Sequence, residues 1–393
     1  MTTASFTTTQ SASIDERAET LLEDLIPHLK PDQSWLAEHA GFWDALWHNR
    51  PPETLMIVLA GKPLPGHDIA IFNLAEQWHH PKAMLYEHLR GMVATARRSD
   101  GLAVPRLRAN LGTGFIPSVF GIEQLIFTDK MPWPQGHLSK EAIAALEPDD
   151  FDDVADKGLM PYALEIYRTY HHYLGTHAWS YLPDTQGILD IAHLVRGDDI
   201  FLDPYDDPAF MHHLMECCLH AYIAISRTIK DAIGEPLDQS KHGCMVQTNG
   251  GVRYCMDASV LCRGDMLETY ELPYLHRVLE AFGGGWIHFC GYAPQLTPML
   301  CAEPLVRGIN PNYMHNHHYD YVDDMRQIQA ADKFFIGAPF RTKGQTLEAY
   351  FDEVLAPLEQ PANLALQPRG EGMTESVSEI KKTWQLTVKR RFG

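Results

Sequence analysis

No apolar run in this 393-residue chain approaches the roughly 20 residues that a membrane-spanning helix needs, so no membrane partner is expected. Basic residues are scarce too: 32 Lys and Arg stand against 51 Asp and Glu, a formal charge of -19. A surface of that sign cannot displace the counterions of a phosphate backbone, which argues against nucleic acid. The basic cluster at Lys381, Lys382, Lys389, Arg390 and Arg391 reads as the positive last turn of a terminal helix. Cysteine is odd in number, seven, and falls mostly in segments that read as helix or strand. Such a count speaks against a disulfide framework and for a reducing compartment. The first twelve residues, MTTASFTTTQSA, lack both a basic start and an apolar stretch. They read as a frayed polar tail rather than an export signal, and the expected location is cytoplasmic. No internal repeat is present, and no low-complexity segment beyond that tail.

What is present is the composition of a globular protein, 45% hydrophobic and 21% charged. The length suits one elaborated barrel. Two amphipathic helices open the chain: one begins at the capping-box spacing Ser13 to Glu16, the other runs from about Asp32 to Trp47 and is stopped by Pro51 and Pro52. They read as a helical extension outside any barrel, and their several tryptophans suggest a homodimer surface. Short apolar runs at 55–60, 104–111, 179–191, 244–247 with 252–259, 286–290 and 333–337 read as buried parallel strands and their loops. Between them lie helical patterns at 161–173, 207–233, 265–282, 296–302 and 321–331. Residues 147–158 read as an acidic linker, and 308–320 as a loop. The alternation predicts an α/β fold, a TIM (β/α)8 barrel with an N-terminal helical extension. The division is 1–50 for tail and extension, 51–358 for the barrel and 359–393 for a C-terminal helical segment.

The chemistry gathers on Gly283 to Gly291. If Trp286 to Cys290 is a strand, its two-residue period puts His288 and Cys290 on one face and Ile287 and Phe289 on the other. An imidazole and a thiol would then face the end of a strand, where barrel enzymes keep their chemistry. The same pair also fits an inert buried cysteine beside a hydrogen-bonded histidine. Cys255, Asp257 and Ser259 share a face if extended, and a carboxylate on an inward face must be paired, bind a metal or hold its proton. Cys217 and Cys218 read as small hydrophobes inside a helix. The glycines of Gly112 to Gly121 can bring backbone N–H groups against a ligand or simply make a tight turn. Three histidines in 315–318 suit either a ligand set or a polar loop.

The run from Asp257-Ala-Ser259 through Pro273-Tyr274, followed by His288-Phe-Cys290-Gly291 and Gly308-Ile-Asn310, resembles the uroporphyrinogen decarboxylase-like superfamily. That group includes the zinc-dependent methylcobamide:thiol methyltransferases. The resemblance spans about residues 100 to 340, with Asn110-Leu-Gly112 and Phe120-Gly121 fitting the same pattern. It implies a barrel with its site at the strand C-termini and, in the methyltransferase branch, zinc held by His288, Cys290 and a later cysteine. No cysteine follows Cys301, so the third ligand falls to Cys255, Asp257 or a histidine of 315–318. Zinc would hold an acceptor thiol as thiolate, and a corrinoid would arrive on a partner protein. In this reading the metal ligands are His288, Cys290 and Cys255, and the catalytic residues are Asp257 and His288. Asn110, Gln186, His193, Gln247, Asn310 and His315 line the substrate pocket. Alternatives are a metal-free decarboxylase or lyase using His288 and Asp257 on a small acid, and a non-catalytic ligand-binding protein on the same fold. The arginine-rich motif of the haem-pathway decarboxylase has no counterpart in 55–64.

Overall fold

The computed structural model describes residues 8–29, 33–49, 64–96, 106–243, 245–312, 321–337, 340–360, 363–366, 369–370 and 375–393. The strand expected at 55–60 and the histidines at 315, 317 and 318 lie outside the described residues. Five parallel strands form the main sheet: Val252–Cys255 (β3), Gly285–Cys290 (β4), Val306–Asn312 (β5), Phe334–Gly337 (β6) and Leu364–Leu366 (β7), lying side by side in chain order. A parallel pair, Arg106–Leu107 (β1) with Trp179–Ser180 (β2), stands apart from it in hydrogen bonding. The architecture is thus mixed α/β with parallel sheets, and closure into a ring is not made by ladder bonds among the described residues. Because β7 pairs with β6, the segment after residue 359 adds a strand to the main sheet and is not helical throughout. Among the described residues no helix is long and apolar enough to cross a membrane.

Alternation along each strand sorts side chains to two faces. Ile287 and Phe289 of β4, Phe335 of β6, and Leu364 and Leu366 of β7 join one large core against the surrounding helices. Their neighbours Trp286, Phe334, Ile336 and Ala365 turn the other way into a second, smaller core. That inner core is completed by Trp43, Leu46 and Trp47 of the helix Gln33–Asn49. Trp47 donates its indole N–H to the Val246 carbonyl at 2.7 Å, and its ring lies 4.6 Å from that of Phe334. The second N-terminal helix is therefore a plug on the inner face of the sheet. Trp43 and Trp47, offered by the sequence as a dimer surface, are consumed inside the chain.

Several elements differ from the sequence reading for local reasons. Helix Thr8–Leu25 runs through Ser13, so the capping-box spacing there does not start it, and residues 8–12 of the stretch read as a tail are helical. The acidic stretch after 147 is ordered as the 3-10 turn Pro148–Phe151, because Phe151 packs on Phe120 with ring centroids 4.3 Å apart. Residues 188–196 form a helix, Ile188–Arg196, not strand and loop. Gln247 makes a lone bridge with Ser240, so 245–247 is no strand. Residues 308–312 of the stretch read as a loop belong to β5. A bulge at its start, where Trp286 pairs with Gly308, brings Gly308, Asn310 and Asn312 to the inner face. A Cβ on Gly308 would meet Ile336 Cδ1 at 2.8 Å and the Phe334 carbonyl oxygen at 3.2 Å, so a larger residue there would have to displace the Ile336 side chain. The helix expected over 265–282 is two, Gly264–Tyr270 and Leu272–Ala281, broken at Glu271.

Candidate functional site

The inner-face residues at the C-terminal ends of β3, β4 and β5 are Cys255, His288, Cys290, Asn310 and Asn312, with Cys255 paired to His288 and His288 to Asn310 by register. His288 is buried, and its surroundings fix its protonation. Asn310 donates its Nδ2 to the Ile336 carbonyl at 2.5 Å, which aims Oδ1 at His288 Nδ1, 2.6 Å away. An amide oxygen only accepts, so the Nδ1 must carry the hydrogen and Nε2 is left as a bare lone pair; the tautomer follows from the network. That lone pair faces Cys290 Sγ at 3.2 Å. Burial, and the positive charge of Arg253, push the His288 imidazole down to about 4, so it is neutral at physiological pH.

Cys290, the exposed member, ends β4 before Gly291, whose φ of +113° turns the chain away. Its backbone N–H donates to Asp257 Oδ1 at 2.7 Å, and Asn312 Nδ2 approaches its sulfur at 3.4 Å. Burial and the neighbouring Asp257 carboxylate raise the Cys290 thiol, and burial raises Cys255 well above the usual range. Neither sulfur is a thiolate on its own at neutral pH. A nucleophilic cysteine needs the opposite environment, whereas a cation placed here would reverse both shifts. Ligand atoms of Cys255, Asp257 and His288 lie within 4.8 Å of one another. Sulfur, nitrogen and carboxylate oxygen in that grouping, with Cys290 against the imidazole, are the donor chemistry of a zinc site. The second group of this kind, Asp149, Asp152 and His220, is on the surface, with His220 Nδ1 2.9 Å from Asp152 Oδ1.

Behind Asp257 stands a buried support. Asp190, at the start of helix Ile188–Arg196, accepts the N–H groups of Asp257 at 3.2 Å, Ala258 at 2.6 Å and Gly187 at 3.4 Å. Glu271, at the break between its two helices, accepts the Tyr254 hydroxyl at 2.7 Å and the Leu189 N–H at 3.1 Å. Burial lifts Asp190 to about 7 and Glu271 to about 8, the Asp257 carboxylate adding to the first shift and Asp190 to the second.

The expected pocket residues divide. Asn310 holds His288. Gln186 is buried and donates to Asp184 at 3.2 Å. Asn110 shares the parity of Arg106 and Arg108; its Nδ2 contacts Met131 Sδ at 3.7 Å, and Oδ1 is buried with no hydrogen-bond partner among the described residues. His193 is elsewhere, paired with Asp198 at 3.0 Å and edge-on to the Phe201 ring. Gln247 sits by Gly250 and Gly284, at the opposite end of β4 from Cys290. The sequence reading passed over Asn312, Asp184, Arg253 and the support role of Asp190. Asn312 could have been found from Asn310 by the same two-residue step that links His288 to Cys290.

The sequence matches no family model and no curated protein. Its architecture is that of an α/β enzyme of known structure. That structure is a methyltransferase from Methanosarcina mazei, which superposes with a TM-score of 0.58 over 90% of this chain and 98% of that one, at 13% identity. At that identity the likeness is one of fold.

Proposed function

We propose that the chain is a zinc-dependent methyl or alkyl transferase of the uroporphyrinogen decarboxylase-like superfamily, built as a closed barrel and acting on a thiol or similar small acceptor. The observation that carries this is the His288 tautomer: Nδ1–H is committed to Asn310, and the bare Nε2 faces Cys290 Sγ beside Cys255 and Asp257. Metal-binding histidines are oriented in this way by a hydrogen-bond acceptor on their other nitrogen. The likeness in fold to a methyltransferase supports the reaction class.

His288, Cys290, Cys255 and Asp257 would hold the metal, which supplies positive charge that keeps an acceptor thiol ionised at neutral pH. The chain's residues do the rest. Asn310 fixes the imidazole, Asp190 fixes the Asp257 turn, and Asp257 in turn holds the Cys290 N–H. In the transfer the acceptor loses its proton to solvent and a sulfur lone pair forms the new S–C bond. The donor keeps the electron pair of the bond that breaks. The donor is proposed to be a corrinoid carried on a partner protein. A metal-free lyase is the second reading, resting on the same bare Nε2 acting as a general base. Metal analysis of protein purified without chelator separates them. About one zinc per chain, lost in His288→Ala and Cys290→Ala with the fold intact, supports the transferase. Metal-free protein whose lyase activity disappears in His288→Ala supports the alternative.

A further inference from the structure

At the N-terminal ends of the sheet strands, the end opposite His288 and Cys290, lies a separate cavity of about 340 Å³. Trp47 of the plug helix and Phe334 form part of its wall, and Asn249, Arg307, Asp332 and Lys333 supply its charged and amide groups. Arg307 is the second residue of β5 and Lys333 immediately precedes β6, so two cations enter from the starts of paired strands. Neutral carbonyls hold both. Lys333, 7% exposed, donates its Nζ to the Glu303 carbonyl at 2.7 Å and to the Val306 carbonyl at 2.8 Å. Arg307 donates Nε to the Asn249 carbonyl at 3.3 Å and Nη1 to the Pro304 carbonyl at 3.2 Å. An ammonium has three hydrogens and a guanidinium five, so one on Lys333 and the Nη2 side of Arg307 remain unspent. Nearby carboxylates are engaged elsewhere: Glu303 accepts the Leu305 N–H at 3.0 Å and faces His276 Nδ1 at 3.2 Å, and Asp332 Oδ1 accepts Asn363 Nδ2 at 2.9 Å. No carboxylate pairs with Arg307 or Lys333 among the described residues. Asn249 Oδ1 is taken by Gln247 Nε2 at 3.2 Å, which leaves the Asn249 amide as a further donor. The glycine run at 283–285 makes room for this arrangement. Gly284 has a φ of +114°, and a Cβ on it would lie 2.9 Å from the Leu305 carbonyl oxygen and 3.0 Å from Arg307 Nε. Burial lowers the Lys333 ammonium and the charge of Arg307 adds to the fall, as two like charges held close without a paired acid require.

We propose that Arg307, Lys333 and Asn249 form a second ligand site, which takes a small tetrahedral oxyanion of the phosphate class, free or as the head of a phosphate monoester. Desolvated cations that lack a paired acid are costly, and an anion between them offsets both the burial and the mutual repulsion. Their unspent N–H groups come from two adjacent strands and converge on one cavity, which suits an acceptor with oxygens in several directions. Asp332, the one negative group in the lining, can accept the hydrogen of a protonated phosphate oxygen or of a neighbouring hydroxyl. Along β5, Arg307 and Asn312 are about 17 Å apart, so an anion bound here takes no part in the chemistry at His288. Its contacts tie the plug helix, through Trp47, to the starts of β5 and β6.

Phosphorus NMR titration at constant ionic strength, with inorganic phosphate and separately with glycerol 3-phosphate, tests this. Saturable line broadening by at least one probe is expected, with affinity falling about 10-fold or more in Arg307→Gln, the size of one charge-assisted hydrogen bond. Ala331 lines the cavity just past helix Val322–Ala330, and Ala331→Glu places a carboxylate where the ligand would sit. That variant is expected to abolish binding, and it reads the same site should Arg307→Gln fail to fold. In His288→Ala the affinity is expected to be unchanged. Absence of saturable broadening by either probe at millimolar concentration overturns the proposal. Binding that survives both Arg307→Gln and Ala331→Glu, or that is lost in folded His288→Ala protein, overturns it as well. Tighter binding of inorganic phosphate assigns the site to the free ion, and tighter binding of glycerol 3-phosphate to a monoester.

Discussion

The two ends of β4 are built from one strand and behave as different materials. At its start Trp286 is sealed by Trp43 and Trp47 of the plug helix together with Phe334, a packing in which the Trp47 N–H is answered by a carbonyl while the indole nitrogens of Trp43 and Trp286 have no hydrogen-bond partner among the described residues. At its end His288 and Cys290 sit among Asn310, Asn312 and Asp257, each held by named hydrogen bonds. The same alternation produces both. What differs is the partner: a helix laid over the inner face closes one end, and short polar side chains from β3 and β5 leave the other accessible. Stability and chemistry are thus assigned to opposite ends of a shared set of strands, as parallel α/β folds do.

That division predicts separable damage. The largest effect comes from the sealed end: Trp47→Ala should cost about 3–5 kcal/mol in chemical denaturation, while the folded fraction binds zinc as the parent does. Loss of zinc in that folded fraction would show that the plug also shapes the site. At the polar end the order reverses. His288→Ala is expected to lower zinc affinity by about 1,000-fold or more while shifting denaturation little, a contrast measured by competition with a chromogenic chelator. Asn310→Ala removes only the group that orients the imidazole, so the expected loss is about 10–100-fold. An effect of Asn310→Ala as large as that of His288→Ala would mean the amide does more than orient.

The smallest effect is gradual and belongs to the support behind Asp257. Glu271 and Asp190 are raised to about 8 and about 7. Between their unfolded values near pH 4 and these folded values, the native state holds protons that the unfolded chain has lost. Stability should therefore be greatest at the acid side of this window and decline as pH rises toward 8. Glu271→Gln should flatten the decline by at most about 1.4 kcal/mol per pH unit. His288, depressed to about 4, acts with the opposite sign, contributing stability above its ordinary value that is lost as pH falls. An unaltered slope in Glu271→Gln would place the pH dependence elsewhere.

The parity of His288 and Cys290 was legible because a six-residue apolar strand has one way to alternate, and the observed strand keeps it. Helix Pro208–Ile233 was legible from Asp207, whose carboxylate accepts the Phe210 N–H as a cap does. β5 was not, since Gly308, Asn310, Pro311 and Asn312 are turn residues by composition. Their strand conformation is imposed by pairing with β4 and β6, which is tertiary information. Glu271 hid inside a helical pattern because its role depends on Tyr254, seventeen positions away and on another element. The grouping of Arg108 and Arg253 about Asp184 was invisible for the same reason: the three come from separate segments and meet only in the fold. The plug escaped because an amphipathic helix announces that it will be covered, and not by what.

Zinc-edge X-ray absorption on protein purified without chelator addresses the central claim, that the bare His288 Nε2 and the neighbouring sulfurs face one metal-binding point. The account predicts sulfur scatterers at about 2.3 Å together with nitrogen or oxygen at about 2.0–2.1 Å, the sulfur contribution falling in Cys290→Ala. A zinc shell made only of light atoms, or one unchanged by Cys290→Ala and Cys255→Ala, would contradict it.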